Sequence, residues 1–216
     1  MLKRNKLFNT RLEILNSSKQ YVILNGWNEK LIDSLCNKKK YTNAQIISLF
    51  PEGYINILEF YLSCVNDNLI TECKKIDLIR LKTHERIKKI IMLKIKNHEG
   101  EKKLVKKTLI TLMSPRFSKL SLSSLYRTVD QIWYIAGDNS TDFNFYTKRI
   151  ILASVYTSTI IYWCFRNKDI TETEIFLEKQ LKKVSRIPKI KNKFKNSKSF
   201  ISNFFSITKK FSEFRR

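Results

Sequence analysis

An all-α fold is what this sequence predicts, and three features predict it. Helix breakers are scarce, with 4 Gly and 3 Pro among 216 residues. Between them, apolar residues recur at spacings of three and four, the repeat of a helix face. Alternating runs separated by turns, the mark of a sheet, do not occur in it. A hydrophobic share of 43% fills one core at this length, so one domain with a tail is expected. The 14 Phe, 9 Tyr and 3 Trp exclude a disordered chain.

The elements follow in order. Leu7, Phe8, Leu12, Leu15 and Val22 put a first helix at about 7–24, ended by Gly26. A short helix at about 28–36 presents Leu31, Ile32 and Leu35. The basic turn Lys38-Lys39-Lys40-Tyr41 leads to Thr42, an N-cap for a third helix ending near Phe50. Pro51-Glu52-Gly53 opens a fourth at about 54–64. Helices are expected at about 69–81, 84–96 and 105–113, before Ser114-Pro115 breaks the chain. Ser121 or Ser123 caps the next, which runs to Ala136 and stops at Gly137. Residues 138–142 form a loop and cap, and a long apolar helix at about 143–166 is the core element. Thr171-Glu172-Thr173-Glu174 starts another in the manner of a capping box, to about Arg186. Beyond Ile187-Pro188, a Lys/Asn/Ser linker (189–198) leads to a last helix at 199–214.

Charge narrows the function classes. The 42 Lys+Arg against 19 Asp+Glu leave a net +23, which points to an anionic partner: nucleic acid, an acidic protein face or lipid headgroups. Lys outnumbers Arg by 31 to 11, so part of this is a compositional bias. Cys36, Cys64, Cys73 and Cys164 form no C-x-x-C pair and have no His at zinc spacing; they read as small apolar residues in a reducing compartment. With His84 and His98 the only histidines, no metal centre, catalytic set or cofactor site is expected. The N-terminus is basic but precedes no apolar signal region, and the uncharged run 150–165 is short for a membrane span.

Four constellations remain. The first three helices resemble a helix-turn-helix, with 42–50 as the groove helix. That segment has no Lys or Arg, and only Asn43, Gln45 and Ser48 face base edges, so a retained helical scaffold is favoured and no nucleic acid is expected. Residues 126–149 collect Asp130, Trp133, Tyr134, Gly137, Asp138, Asp142, Tyr146, Lys148 and Arg149. The carboxylates read as caps and ion pairs rather than acid–base pairs; the adjacent aromatics cannot both face one core and read as a protein-binding patch, with Trp133 alternatively an ordinary core aromatic. Within 150–165, large residues stand beside Ala153, Ser154 and Ser158, which fits either a cavity for an apolar ligand or close packing. Lastly, residues 179–216 hold 13 basic residues against Glu213 alone. There Phe200, Phe204, Ile207, Phe211 and Phe214 recur at helical spacing, widened by Ile201 and Phe205, with Lys209 and Lys210 away from the stripe. This amphipathic helix is too short to cross a membrane. It lies on one or docks on the protein body.

The run Val129-Asp130-Gln131-Ile132-Trp133-Tyr134-Ile135-Ala136-Gly137-Asp138 continues through Asn139-Ser140-Thr141-Asp142-Phe143-Asn144-Phe145-Tyr146-Thr147-Lys148-Arg149. With Leu152–Thr159 and Phe176-Leu177-Glu178, it resembles the ubiquinone (coenzyme Q) biosynthesis accessory family Coq-nine. Gly26-Trp27 and Leu49-Phe50-Pro51-Glu52-Gly53 extend the likeness. Two departures are that 103–113 has no Trp and that Phe145 stands where many members have Trp.

The resemblance implies a TetR-like helical bundle with a degenerate helix-turn-helix, forming a homodimer. It implies a non-enzymatic lipid-binding protein that takes an isoprenoid quinone or phospholipid and presents the quinone to the di-iron demethoxyubiquinone hydroxylase. The docking patch would be Asp130, Trp133, Tyr134, Gly137 and Asp138. The lipid pocket would involve Ile151, Val155, Tyr156, Thr159 and Trp163. The membrane contact would involve Phe200, Phe204, Phe205, Ile207, Lys209, Lys210, Phe211 and Phe214. Expected units are 1–53 (helix-turn-helix-like), 54–188 (lipid binding and dimerisation) and 189–216 (linker and membrane helix). Without a transit segment, the expected location is the cytoplasmic face of a bacterial inner membrane. A TetR-type DNA-binding regulator is the alternative.

Overall fold

Local sequence explains why the first helices form where they do. The structure is a computed structural model that describes residues 2–37, 41–138 and 143–186, with side chains from 6–37, 41–138 and 145–184. Helix α1 spans Leu2–Asn25. Its buried stripe is Ile14, Ser18 and Val22, four residues apart and fully enclosed. Leu7 and Phe8, expected on that stripe, are half exposed because the first turns overhang the core. Gly26, at φ 78°, donates to the Val22 carbonyl and turns the chain inward. Trp27 can then donate from Nε1 to Thr108 Oγ1 at 3.0 Å.

Helices α2 (Lys30–Asn37) and α3 (Asn43–Leu49) pack on α1. Thr42 caps α3 as expected: its Oγ1 accepts from the Gln45 amide at 3.2 Å, and Gln45 Oε1 accepts from the Thr42 amide at 3.0 Å. The lysine turn 38–40 lies outside the described residues.

Helix α4 (Tyr54–Cys73) corrects the expected break after Cys64. Val65-Asn66-Asp67-Asn68 reads as a loop by composition, but Asn66 is a half-buried acceptor for two other helices, and the helix runs through it. The helix expected at 69–81 therefore does not exist as such: α4 ends at Cys73, and residues 74–82 form turns.

Next come α5 (Thr83–Lys96), a 3-10 turn (Glu99–Glu101), α6 (Lys102–Leu112) and a second 3-10 turn (Pro115–Phe117). Helix α7 begins at Ser118 and ends at Ile135. Ser121 and Ser123 are thus inside it rather than capping it, and Ser123 Oγ donates back to the Leu120 carbonyl. Helix α8 (Phe143–Phe165) closes on Asn167, whose φ of 50° this residue type tolerates. Helix α9 (Ile170–Arg186) is capped by Asp169, not Thr171: the carboxylate accepts from the Glu172 amide at 2.6 Å. The linker and last helix of the sequence reading lie outside the described residues.

Among the described residues there is no strand, and the all-α class holds. Two apolar clusters fill the interior. One gathers Trp27, Leu31, Ile46, Phe50, Ile57 and Leu58 from α1–α4. The other gathers Ile90, Ile91, Ile132, Val155, Trp163 and Leu177 from α5–α9. Helix α4 serves both, so the chain's N-terminal subdomain borrows core from beyond residue 53. Replacing Thr42 with Ala should cost about 1 kcal/mol through loss of the cap. A thermal melt should fall by roughly 2–4 °C. An unchanged melt would show that the capping box contributes nothing.

Candidate functional site

Small residues on α7 open a cavity at the centre of the bundle. Ser121, Ser124 and Thr128 lie at i, i+3 and i+7, and their short side chains leave space that larger ones would fill. The cavity holds about 200 Å³. Tyr61, Leu62 and Val65 of α4 form one wall, Val105, Leu109 and Leu112 of α6 another, and Tyr156, Ile160 and Trp163 of α8 a third. The small residues of α8, which the sequence leaves as either cavity-forming or closely packed, do not open it: Ser154 is exposed, Ser158 bonds the Val155 carbonyl, and Ala153 packs against the core. Lys102 fixes the Trp163 wall, donating to the Lys168 carbonyl at 2.7 Å with its ammonium 5.4 Å from the indole centroid.

One end of the cavity is polar. Lys94 of α5 is 6% exposed, and its Nζ donates to Asn66 Oδ1 at 2.7 Å. Thr128 Oγ1 donates to the same oxygen at 3.1 Å. Burial pushes the Lys94 amine down to about 7, because the enclosed site disfavours its charged form. His98 Nδ1 lies 2.8 Å from the Lys94 carbonyl, an acceptor, so that nitrogen carries the hydrogen. Burial holds its imidazole below the usual range, partly opposed by this bond. The Tyr61 and Tyr156 phenols are pushed up by burial and stay protonated. Cys164 is likewise pushed up to about 12 by burial, which removes it as a nucleophile.

The second feature is the end of α7. The Asp138 amide donates to the Trp133 carbonyl and the Gly137 amide to that of Tyr134, a Schellman closure. Gly137 sits at φ 85°, and a Cβ there would lie 3.1 Å from Arg86 Nη1. Arg86 donates to the carbonyls of Ile79, Leu81 and Ala136, so one guanidinium binds the 74–82 turns to this closure. Ile79 and Tyr134 are left 85% and 80% exposed. Behind them, Arg149 of α8 is buried. It donates from Nε to Asp130 at 2.8 Å and from Nη1 to Asp138 at 3.4 Å, and its guanidinium carbon is 3.3 Å from the Phe145 centroid. Lys148 pairs with Asp138 at 2.7 Å.

The expected docking residues therefore divide by position. Tyr134 and Gly137 face solvent. Trp133 is half-buried, with Nε1 donating to the Lys148 carbonyl. Asp130 and Asp138 turn inward to Arg149, and the Asp138 side chain is only 5% exposed. They are scaffold rather than an acidic face, as the reading of caps and ion pairs anticipates. Of the expected pocket residues, Tyr156 and Trp163 line the cavity, whereas Ile151, Val155 and Thr159 are not among its lining residues. Val155 is in the core cluster, and Thr159 spends its hydroxyl on the Val155 carbonyl. Sequence reasoning missed Lys94, Asn66, Arg86 and Ile79. With Lys88, Lys89 and Lys96 on the same helix, nothing in the sequence singled out Lys94. The expected membrane-contact residues lie outside the described residues.

Fold and site together define a TetR-like helical scaffold around an apolar cavity. The fold matches a TetR transcriptional regulator from Nitrosomonas europaea, with TM-score 0.68 and 14% identity, over 82% of this chain and 98% of that one. At that identity the likeness concerns the fold alone. Residues 118–188, which cover α7 to α9, match the COQ9 family, the Coq-nine family of the sequence reading. The human "Ubiquinone biosynthesis protein COQ9, mitochondrial" is 28% identical over 175 residues, which is 78% of this chain and 55% of that protein. The rat protein is 27% identical over the same length. A Dictyostelium discoideum relative, "Probable ubiquinone biosynthesis protein coq9, mitochondrial", is 23% identical over 90% of this chain. The chain is similar to the COQ9 proteins and spans little more than half the length of the mammalian ones. Among the described residues, no helix is long and apolar enough to cross a membrane.

Two predictions follow from these geometries. Arg149→Met should lower stability by about 2–3 kcal/mol, since it strands two inward carboxylates, though Asp138 keeps Lys148. Equilibrium denaturation checks this, and a loss under 1 kcal/mol would remove the network from the account. Separately, Lys94 binds its proton up to about 10.4 in the unfolded chain but loses it near 7 when folded. The unfolded state thus holds more protons, so stability should rise between pH 7 and pH 9. Lys94→Met should flatten that slope, and an identical slope would contradict the burial of a titrating amine.

Proposed function

We propose that this protein is a non-enzymatic lipid-binding accessory of ubiquinone biosynthesis. It receives an isoprenoid quinone intermediate from a membrane and presents it to the demethoxyubiquinone hydroxylase. The observation that carries the reading is the largely apolar cavity lined by α4 to α8 in a chain similar to COQ9 proteins. An isoprenoid tail is too apolar to leave a bilayer unaided. Enclosing it in protein recovers about 25 cal/mol for each Å² kept from water. The head stays near the polar end of the cavity, beside the Lys94–Asn66 pair.

The hydroxylase docks on the exposed closure of α7, with Tyr134 as its aromatic anchor and Ile79 beside the same Arg86 clamp. The basic, aromatic C-terminal segment touches the membrane surface, where each Lys near anionic lipid adds about 1 kcal/mol. The protein works as a homodimer, peripheral on the membrane that carries the quinone; the curated relatives are named as mitochondrial. The DNA-binding alternative has less support. On α3, Gln45 closes the capping box and Ser48 donates to the Gln45 carbonyl, so two of the three candidate base readers are engaged with backbone.

Native mass spectrometry of the purified protein tests the lipid reading. An isoprenoid or phospholipid adduct should co-purify, and Ser124→Phe, which fills the cavity, should remove it. Persistent absence of any adduct in the wild type would overturn the proposal. For docking, Tyr134→Ala should weaken hydroxylase binding by about tenfold or more without moving the thermal melt. Undiminished binding would move the interface elsewhere.

A further inference from the structure

The amine of Lys94 is a costly group in this cavity. Its side chain is enclosed, and among the described residues its one hydrogen bond goes to a neutral amide, Asn66, rather than to a carboxylate. An enclosed amine normally needs a partner of opposite charge or several acceptors. An ammonium has three N–H donors. Asn66 takes one, and the two acceptor positions on its oxygen are filled by Lys94 and Thr128. Around this group the walls are apolar, with Ile95, Leu125 and Ile160 nearby in the same lining. The lining also carries polar groups such as Tyr61, His98, Ser124 and Tyr156, but Lys94 is its one amine, and most of the remainder is hydrocarbon.

We propose that Lys94 is the head-binding residue of this cavity: it donates to an acceptor oxygen on a ligand whose remainder is an apolar tail, and so sets which amphiphiles are selected. The inference rests on the lipid-binding reading and adds the residue that orients the ligand. Two sources share the required chemistry, a quinone carbonyl and the carboxylate or phosphate of a membrane lipid. Asn66 and Thr128 act as positioning residues, since they hold the amine rather than touch the ligand. The depressed pKa of the enclosed amine accords with this, because an acceptor oxygen beside it favours the protonated, fully donating form.

The test compares three probes on the full chain at pH 7: decyl-1,4-benzoquinone, tetradecanoate, and decylbenzene as a control without head oxygen. Affinities are read by titration calorimetry for the wild type, Lys94→Met and Lys94→Gln. In Lys94→Met, at least one oxygenated probe should bind about tenfold or more weakly, as expected for loss of one enclosed hydrogen bond to a polar head. Decylbenzene should bind as before, and Lys94→Gln, which keeps an N–H donor, should lose less. The probe that is weakened identifies the source of the oxygen. If the Met variant does not fold, the Gln variant carries the comparison: weakening confined to the oxygenated probes supports the inference. Equal weakening of all three probes, or no weakening of either oxygenated one, overturns it. Failure of the wild type to bind any probe would instead overturn the lipid-binding reading on which it rests.

Discussion

A guanidinium buried between two carboxylates holds the part of this molecule on which the rest depends. Arg149 projects from α8 toward Asp130, inside α7, and Asp138, just past its end. Because one cation of α8 satisfies acids within and just past the end of α7, the two helices are tied together there. Trp133 adds a second tie by donating to the Lys148 carbonyl. That pair supplies two walls of the cavity and the exposed closure at Tyr134. Ligand space and proposed docking surface thus share one support, and the COQ9 match falls on the same helices.

The cavity is a consequence of residue size more than of helix placement. Helix α8 brings large residues, Tyr156, Ile160 and Trp163, to the interface, whereas α7 answers with Ser121, Ser124 and Thr128. Had those three been Leu, the helices would close at ordinary packing density. Three of its polar side chains form one network: Lys94 and Thr128 both donate to the Asn66 oxygen, which gathers their polarity at one place in the lining. Such a division suits a ligand with one polar head and one apolar tail.

Much of this was legible in the sequence, and the failures have physical reasons. Thr42, Gly26 and Gly137 mark helix ends through local chemistry alone, and all three do so here. The long apolar run of α8 was readable for the same reason. By contrast, Asn66 looked like a loop residue because its partners are 28 and 62 positions away. Composition sees the amide but not the lysine it serves. Asp130 and Asp138 looked like a possible binding face until Arg149 folded onto them. Thr159 and Val155 lie on the right helix for the pocket, but rotated off its cavity face. Ile79 carried no signal at all, since only the Arg86 clamp places its turn beside the α7 closure.

The central claim is that the space between α4 and α8 is a ligand site with a polar head end and an apolar tail end. A crystal structure of the protein grown with an isoprenoid quinone measures this directly. The account predicts continuous tail density along Leu109, Leu125 and Ile160, with a head oxygen within hydrogen-bond distance of Lys94 Nζ. A cavity closed by side chains, with the quinone bound elsewhere on the surface, would contradict it.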